Sequence, residues 1–541
     1  MRLYLPLLGF VLGALSPSVV AAPPVPEHVH VVQPGDTLIG LRARLLQPQV
    51  RIGELQRRNG VSDPRRLQPG RTLRWPETWL RERPAEAEVL HVHGAVWVLR
   101  AGRREPATAG LLLREGDGLE SGAQSSATLR FVDGARSLVR PDSRLSLRTL
   151  RQSAGAVPLG RTAVQLDQGA LDTVVPPHAS APRGTRSAPR FELRTPVAQL
   201  GVRGTQFRGR WQGQSLALEV LAGRVEANSA QHRDAVTAGQ GWWSGSGTEA
   251  LLPPPDLQAL HARRLERLPL QLAWPSLPGA QAWRVQLLDA DGQALLLDAT
   301  PTAPAFLGAA ELPDGAYRLR VRAVSASGLE GRDAEVPVLL SARPEPPLLQ
   351  SPAAQAQQYA PSVAFAWTRS AEAGRYRLQV ADEAGFARPR LDQSVDAGTR
   401  WDADLPEGLH HWRVASVRAD GRQGPWSDVQ TLTRLAPPPS PPPAEQARDG
   451  DTLQLRWAAS TLAGARYQVQ VSRQASFATP WTDETLDAPT LTLRPTEGGV
   501  HHLRVRTLAP DGTPGPWGAP QQFDWPRSHW WLWLLPTLFL L

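Results

Sequence analysis

The chain has 541 residues, a formal charge of +8, 52 Pro, 46 Gly and no cysteine. That length exceeds one hydrophobic core and, at roughly 100 to 150 residues per domain, implies about four modules, while the absence of thiols excludes disulfides, thiolate zinc sites and cysteine nucleophiles. Every basic residue other than histidine is arginine, scattered singly and without a helix-turn-helix, zinc-knuckle or RRM signature, so the positive charge does not point to nucleic acid.

At the N-terminus, Met1-Arg2, the apolar stretch Leu3 to Leu15 and the small-residue site Val19-Val20-Ala21 predict an exported precursor, with residues 1–21 removed as a signal peptide. From His30 to Pro76 a short β pattern, two helical patterns and a closing strand follow. Thr37 is placed to cap a helix whose Leu38, Leu41 and Leu45 share one face. Ile52 and Leu55 do the same for a second helix, which should stop at Asn59-Gly60. Gln68-Pro69-Gly70 predicts a turn into the strand Thr72-Leu73-Arg74.

These residues resemble a LysM domain, in the V-x-x-G-D-T-L opening (Val32, Gly35, Asp36, Thr37, Leu38), the helix exit Asn59-Gly60 and the L-x-P-G-x-x-L close (Leu67, Pro69, Gly70, Leu73). Where that family often has an aromatic after the opening, this chain has Ile39. The resemblance implies that residues 28–80 bind peptidoglycan or another N-acetylglucosamine-containing glycan. The groove would run between Gly35, Asp36, Thr37, Leu38 and Ile39 on one side and Leu67, Gln68 and Pro69 on the other. Backbone amides near Asp36 and the Thr37 hydroxyl would pair with acetamido groups while Leu38 and Leu67 cover apolar sugar faces. Asp36 and Thr37 suit turn and cap roles equally well.

Residues 89–252 alternate in short strands, as at Ala127, Leu129 and Phe131 before the hairpin signal Asp133-Gly134. The segment resembles a FecR-type domain in Arg114-Glu115-Gly116-Asp117, Phe191-Glu192-Leu193-Arg194-Thr195-Pro196, Val202-Arg203-Gly204-Thr205-Gln206-Phe207 and Leu221-Ala222-Gly223-Arg224-Val225. Gly204 is expected in a tight turn that opens a strand carrying Thr205 and Phe207.

The last half repeats. Trp274, Trp367 and Trp457 recur at separations of 93 and 90 residues, and Gly315, Gly408 and Gly499 at 93 and 91, each glycine preceding an alternating strand. Three segments, 264–343, 344–436 and 437–526, therefore read as β-sandwiches in a row, and in their early core Trp and late alternating strand they resemble fibronectin type III domains. Pro-rich stretches at 344–347 and from Pro437 to Pro443 are expected to act as semi-rigid spacers between independently folding modules. The apolar tail 530–541 would extend about 18 Å as a helix, short of the roughly 30 Å of a bilayer core. It leaves an interfacial anchor, a sticky terminus or a truncated segment as readings.

No serine nucleophile elbow, H-E-x-x-H, Walker loop or Rossmann fingerprint is present. The i, i+2 pairs His28/His30 and His91/His93 lack further ligands in sequence, so no metal site, catalytic residue or cofactor is expected. The expectation is a multidomain, mainly β chain: a small βααβ module, a β-rich FecR-like domain and three β-sandwiches in tandem. Its expected role is a non-enzymatic peptidoglycan-binding envelope scaffold or adaptor in the periplasm, with unidentified envelope proteins as partners and membrane association through the tail. The alternative is the periplasmic sensor arm of a FecR-like transmembrane signalling system.

Overall fold

A computed structural model describes residues 27–154, 160–177, 191–230, 232–261, 263–396 and 398–526, so the expected signal peptide and apolar tail lie outside the described residues. The chain divides into two units, Met1–Leu340 and Ser341–Leu541.

In the first unit, strands β1 (Glu27–Val31) and β2 (Thr72–Pro76) pair antiparallel around helices α1 (Leu38–Leu45) and α2 (Ile52–Asn59). Apolar periodicity sets the packing: Leu38, Leu41, Leu45 and Leu55 are buried with Leu73 and Trp75. Helix α2 stops as expected, Gly60 taking the left-handed conformation (φ 61°, ψ 38°) while Val61 N–H returns to Gln56 O at 3.0 Å. The Asn59 amide locks that exit onto β2: Nδ2 donates to Leu55 O (3.0 Å) and Arg74 O (2.9 Å), and Oδ1 accepts from Arg74 N–H (2.6 Å).

The helical module is not on a free tether. Leu45 O accepts from Arg81 N–H, Ala154 N–H donates to Arg81 O, and the strand Glu82–Pro84 joins the strand Arg144–Ser153 of the following body. That body is all β, wound around three 15-residue strands, Gly160–Val174, Ala198–Gln212 and Ser215–Ser229. Phe131, Phe191 and Phe207 meet edge-to-face in its core, at 5.6 and 6.1 Å between centroids. The Asp133-Gly134 hairpin forms between Ser126–Arg130 and Arg136–Val139.

Gly204 does take a positive φ (56°), but not in a turn. It sits in a bulge inside the strand Ala198–Gln212, where the register with Ser215–Ser229 slips between Arg203 and Gln206. Pro177 and the partner glycine Gly223 crowd this bulge from either side; a Cβ on Gly223 would lie 2.5 Å from Gly204 O.

The three C-terminal repeats are two-sheet sandwiches with matching parts. Trp274, Trp367 and Trp457 are buried, each edge-on or tilted against the aromatic nine or ten residues later: Trp283, Tyr376 and Tyr467, at 5.6, 5.7 and 5.6 Å. Two residues after each marker glycine a side chain reaches back to the carbonyl four residues upstream. Tyr317 Oη donates to Pro313 O (2.6 Å), and His410 Nε2 and His501 Nε2 contact Pro406 O (2.8 Å) and Glu497 O (3.0 Å). This is a tyrosine-corner arrangement in which two repeats use imidazole for phenol. His410 and His501 are thus corner residues, both buried.

The Pro-rich stretches do not behave as spacers. Both, like the segment at Leu252 that enters the first sandwich, lay a backbone carbonyl against a glycine sixteen residues after the marker glycine: Leu252 O on Gly331, Pro344 O on Gly424 and Pro438 O on Gly515. A Cβ at any of the three would collide with that carbonyl, so the stretches are seated parts of the sandwiches they precede.

Nor is the first repeat a free module. Its Glu330, Asp298 and Asp333 meet Arg140 and Arg208 of the preceding body in a buried ionic junction, completed by Arg284 and Arg322 of the repeat itself. Burial alone would raise the Glu330 carboxyl, but Arg140, Arg322, Arg284 and Arg208 hold it well below the usual carboxylate range. Neutral contacts flank the charges: Ser126 Oγ donates to Leu295 O (2.7 Å), and Leu138 packs with Leu288 and Leu295.

Repeat correspondence shows what sets the docking face of this sandwich apart. Where repeats two and three place Trp426 and Trp517 over Arg413 and Arg504, at 4.3 Å, the first repeat has Asp333. The exchange turns a cation–π face into an anionic one that accepts arginines.

Candidate functional site

The glycan-binding candidates cluster at the N-terminal end of α1. Gln33 and Asp36 close the loop reciprocally: Asp36 N–H donates to Gln33 O and Gln33 N–H to Asp36 Oδ2, both at 3.0 Å. The same carboxylate takes His30 Nε2 (3.0 Å) and Arg44 Nη2 (3.0 Å). Burial works against its ionisation, but the Gln33 amide, His30 and Arg44 prevail and hold the Asp36 carboxyl below its ordinary value. Asp36 is therefore spent on fixing the loop. His28 and His30 flank the buried Trp75 at 5.3 and 5.8 Å rather than standing free on a strand edge.

Thr37 caps α1 as expected, its Oγ1 accepting from Gly40 N–H at 3.0 Å. Leu38 N–H donates to Pro64 O at 2.8 Å, which brings the first loop against the segment leading into the second. The Ile39 amide, the remaining first-turn donor, has no acceptor among the described residues. Gly70 N–H to Val32 O (2.8 Å) and Val32 N–H to Arg71 O (2.9 Å) fix the Gln68–Gly70 turn beside β1. Gly35, Ile39, Gln68 and Pro69 are exposed, Thr37 and Leu67 half-buried.

Two expected sugar contacts change role. The Leu38 side chain is fully buried in the module core, and Leu67 packs partly against the same core. The apolar side chain available on this rim is Ile39, 41% exposed. The position where an aromatic was missed is thus the one that faces outward. Sequence reasoning overlooked Pro64, whose carbonyl joins the two loops; its only signal was the break between Asn59-Gly60 and Leu67.

Residues 30–76 match the LysM domain family, and residues 117–226 match the FecR protein family. Among solved structures, the chain is similar to the FN1–FN3 domains of chicken CNTN1 at 12% identity, covering 47% of this chain and 93% of that one with a TM-score of 0.26. It is also similar to a putative anti-sigma factor from Parabacteroides distasonis at 14% identity, covering 25% of this chain and 59% of that one with a TM-score of 0.19. A search of curated proteins gives no match. LysM and FecR domains are non-catalytic binding and regulatory modules typical of envelope-associated proteins, and among the described residues no helix is long and apolar enough to cross a membrane. The chain carries a LysM domain, then a FecR domain, then three β-sandwich repeats.

Proposed function

We propose that this protein is a non-enzymatic envelope scaffold held on peptidoglycan by its LysM domain, with the FecR body and the β-sandwiches presenting surfaces to envelope proteins. The observation that carries the reading is the paired loop of the LysM domain. Leu38 N–H on Pro64 O aligns an exposed rim in which Gly35, the Ile39 amide and side chain, Gln68 and Pro69 are open to a ligand. Acetamido groups suit the amide and the Thr37 hydroxyl, and Ile39 suits an apolar sugar face. Export to the periplasm supplies access to that ligand.

Sedimentation of the full chain with purified peptidoglycan tests it. Wild type should pellet with walls, with a Kd on the order of 10 μM to 1 mM, and Ile39→Asp should pellet markedly less. Equal pelleting of both, abolished by salt, would assign retention to the arginines instead.

The FecR match at residues 117–226 favours a second reading, a periplasmic sensor arm of a transmembrane signalling system. Crosslinked pull-down separates the two: a sensor retrieves a membrane signalling protein, a scaffold retrieves wall fragments and other envelope proteins.

A further inference from the structure

Beside the ionic junction, a cleft of about 660 Å³ opens between the FecR body and the first β-sandwich. Its lining includes Arg140 and Asp298 of the junction and the partly buried Trp211, which also packs against the body's core. The exposed polar side chains of Gln124, Asp142 and Gln168 stand around the opening. From the sandwich side comes Arg284, whose Nη1 and Nε bind Asp298 and Glu330 at 3.2 Å while Nη2 has no partner among the described residues.

Two further facts mark the place. Gln124 (φ 53°) and Asp142 (φ 55°) both hold the left-handed backbone conformation that ordinary side chains rarely adopt, and both line this one cleft. The charges balance: Arg140, Arg210 and Arg284 stand against Asp142, Asp167 and Asp298. A phosphate-rich or sulfated ligand would find no net attraction. A neutral, hydroxyl-rich ligand finds planar carboxylate, amide and guanidinium groups to pair with, and an indole to lie against.

We propose that this cleft is a second saccharide site, taking a short neutral N-acetylhexosamine stretch of the wall glycan already assigned to the LysM domain. Its ligand class rests on that wall-binding reading. Two weak sites on one chain reinforce each other by raising the local concentration each sees. The second contact would also fix the body against the wall rather than leave it on a single tether.

Titration calorimetry of the full chain with chitotetraose tests the proposal. The Ile39→Asp chain, lacking the LysM contact, should retain weak binding. Trp211→Ala and, as a variant that suits the left-handed backbone, Asp142→Asn should each weaken that residual binding about tenfold in the same background, with a sulfated oligosaccharide giving no heat. No binding by Ile39→Asp when the intact chain binds overturns the cleft and leaves the LysM reading standing. Residual binding indifferent to both cleft substitutions also overturns it. Equal binding by intact and Ile39→Asp chains, lost in Trp211→Ala and weakened in Asp142→Asn, supports the cleft and sinks the LysM site; silence from the intact chain sinks both.

Discussion

The Glu330 carboxylate faces the Arg140 guanidinium across 190 residues of sequence, with Arg140 Nη1 at 3.1 Å from both carboxylate oxygens and Nη2 at 3.2 Å from Oε1. Both side chains are at most 4% exposed. Removing one partner leaves the other charge buried and unbalanced, which costs about 3–5 kcal/mol. Glu330→Gln should lower stability by that order, and chemical denaturation should show the FecR body and first sandwich losing their shared transition. An unchanged midpoint would contradict the junction.

Acid provides a second handle. Glu330 and Asp333 are held below their ordinary values by the arginines, against the opposing effect of burial. Their contribution is fully present above the unfolded carboxylate pKa of about 4 and is lost as pH falls through the lower folded values. Glu219 has the opposite sign, since burial and neighbouring Glu330 push its carboxyl up. Its preference for the protonated form favours folding below the unfolded pKa, and that advantage is lost as pH rises through the raised value. Glu219→Gln, which keeps an acceptor for Glu330 N–H (3.1 Å in the wild type), should therefore raise the melting temperature at pH 7. Thermal scans from pH 3 to 7 on both variants check the two signs.

Gly424→Ala and Gly515→Ala should each destabilise their sandwich by about 3 kcal/mol, the upper end for forcing extra volume into packed structure. The obstacle is a backbone carbonyl, Pro344 O or Pro438 O, and not a side chain that can rotate away. Wild-type melting of either variant would show that the Pro-rich stretch lifts off freely.

Gly204→Val should cost roughly 1–3 kcal/mol through backbone strain. The Cβ would lie 3.2 Å from Pro177 Cα on a residue already at φ 56°. Equal unfolding midpoints for wild type and variant would overturn the bulge requirement.

In the LysM domain, Leu38→Ala and Ile39→Asp should separate stability from binding. The first empties a fully buried position, costing about 2–5 kcal/mol. The second should leave the melting temperature near wild type and markedly weaken wall sedimentation.

What could be read in advance was what local chemistry determines. The Thr37 cap, the left-handed stop at Gly60, the Asp133-Gly134 hairpin and the core tryptophans each depend on neighbours a few residues away, and each forms as expected. Leu38 carried a contradiction within the sequence itself: a residue on the apolar face shared with Leu41 and Leu45 is committed to the core and is not available to a groove. The ionic junction was invisible for a different reason. Arg140, Arg208, Glu330 and Asp333 look like any scattered surface charges until folding brings them together, and no spacing rule links residues so far apart. The cleft beside it inherits the same invisibility.

The seating of each Pro-rich stretch on a glycine also decides where these sandwiches can be cut. A fragment begun at Leu349 would start on a strand yet discard Pro344, leaving the trough at Gly424 open to water; one begun at Glu445 would do the same at Gly515 by discarding Pro438. Proteases should likewise spare stretches that are rich in proline and seated at Pro344 and Pro438. Nicking, where it occurs, should fall at exposed loop tips such as Asp420-Gly421, so sequence composition alone would send a molecular scissors to the wrong address.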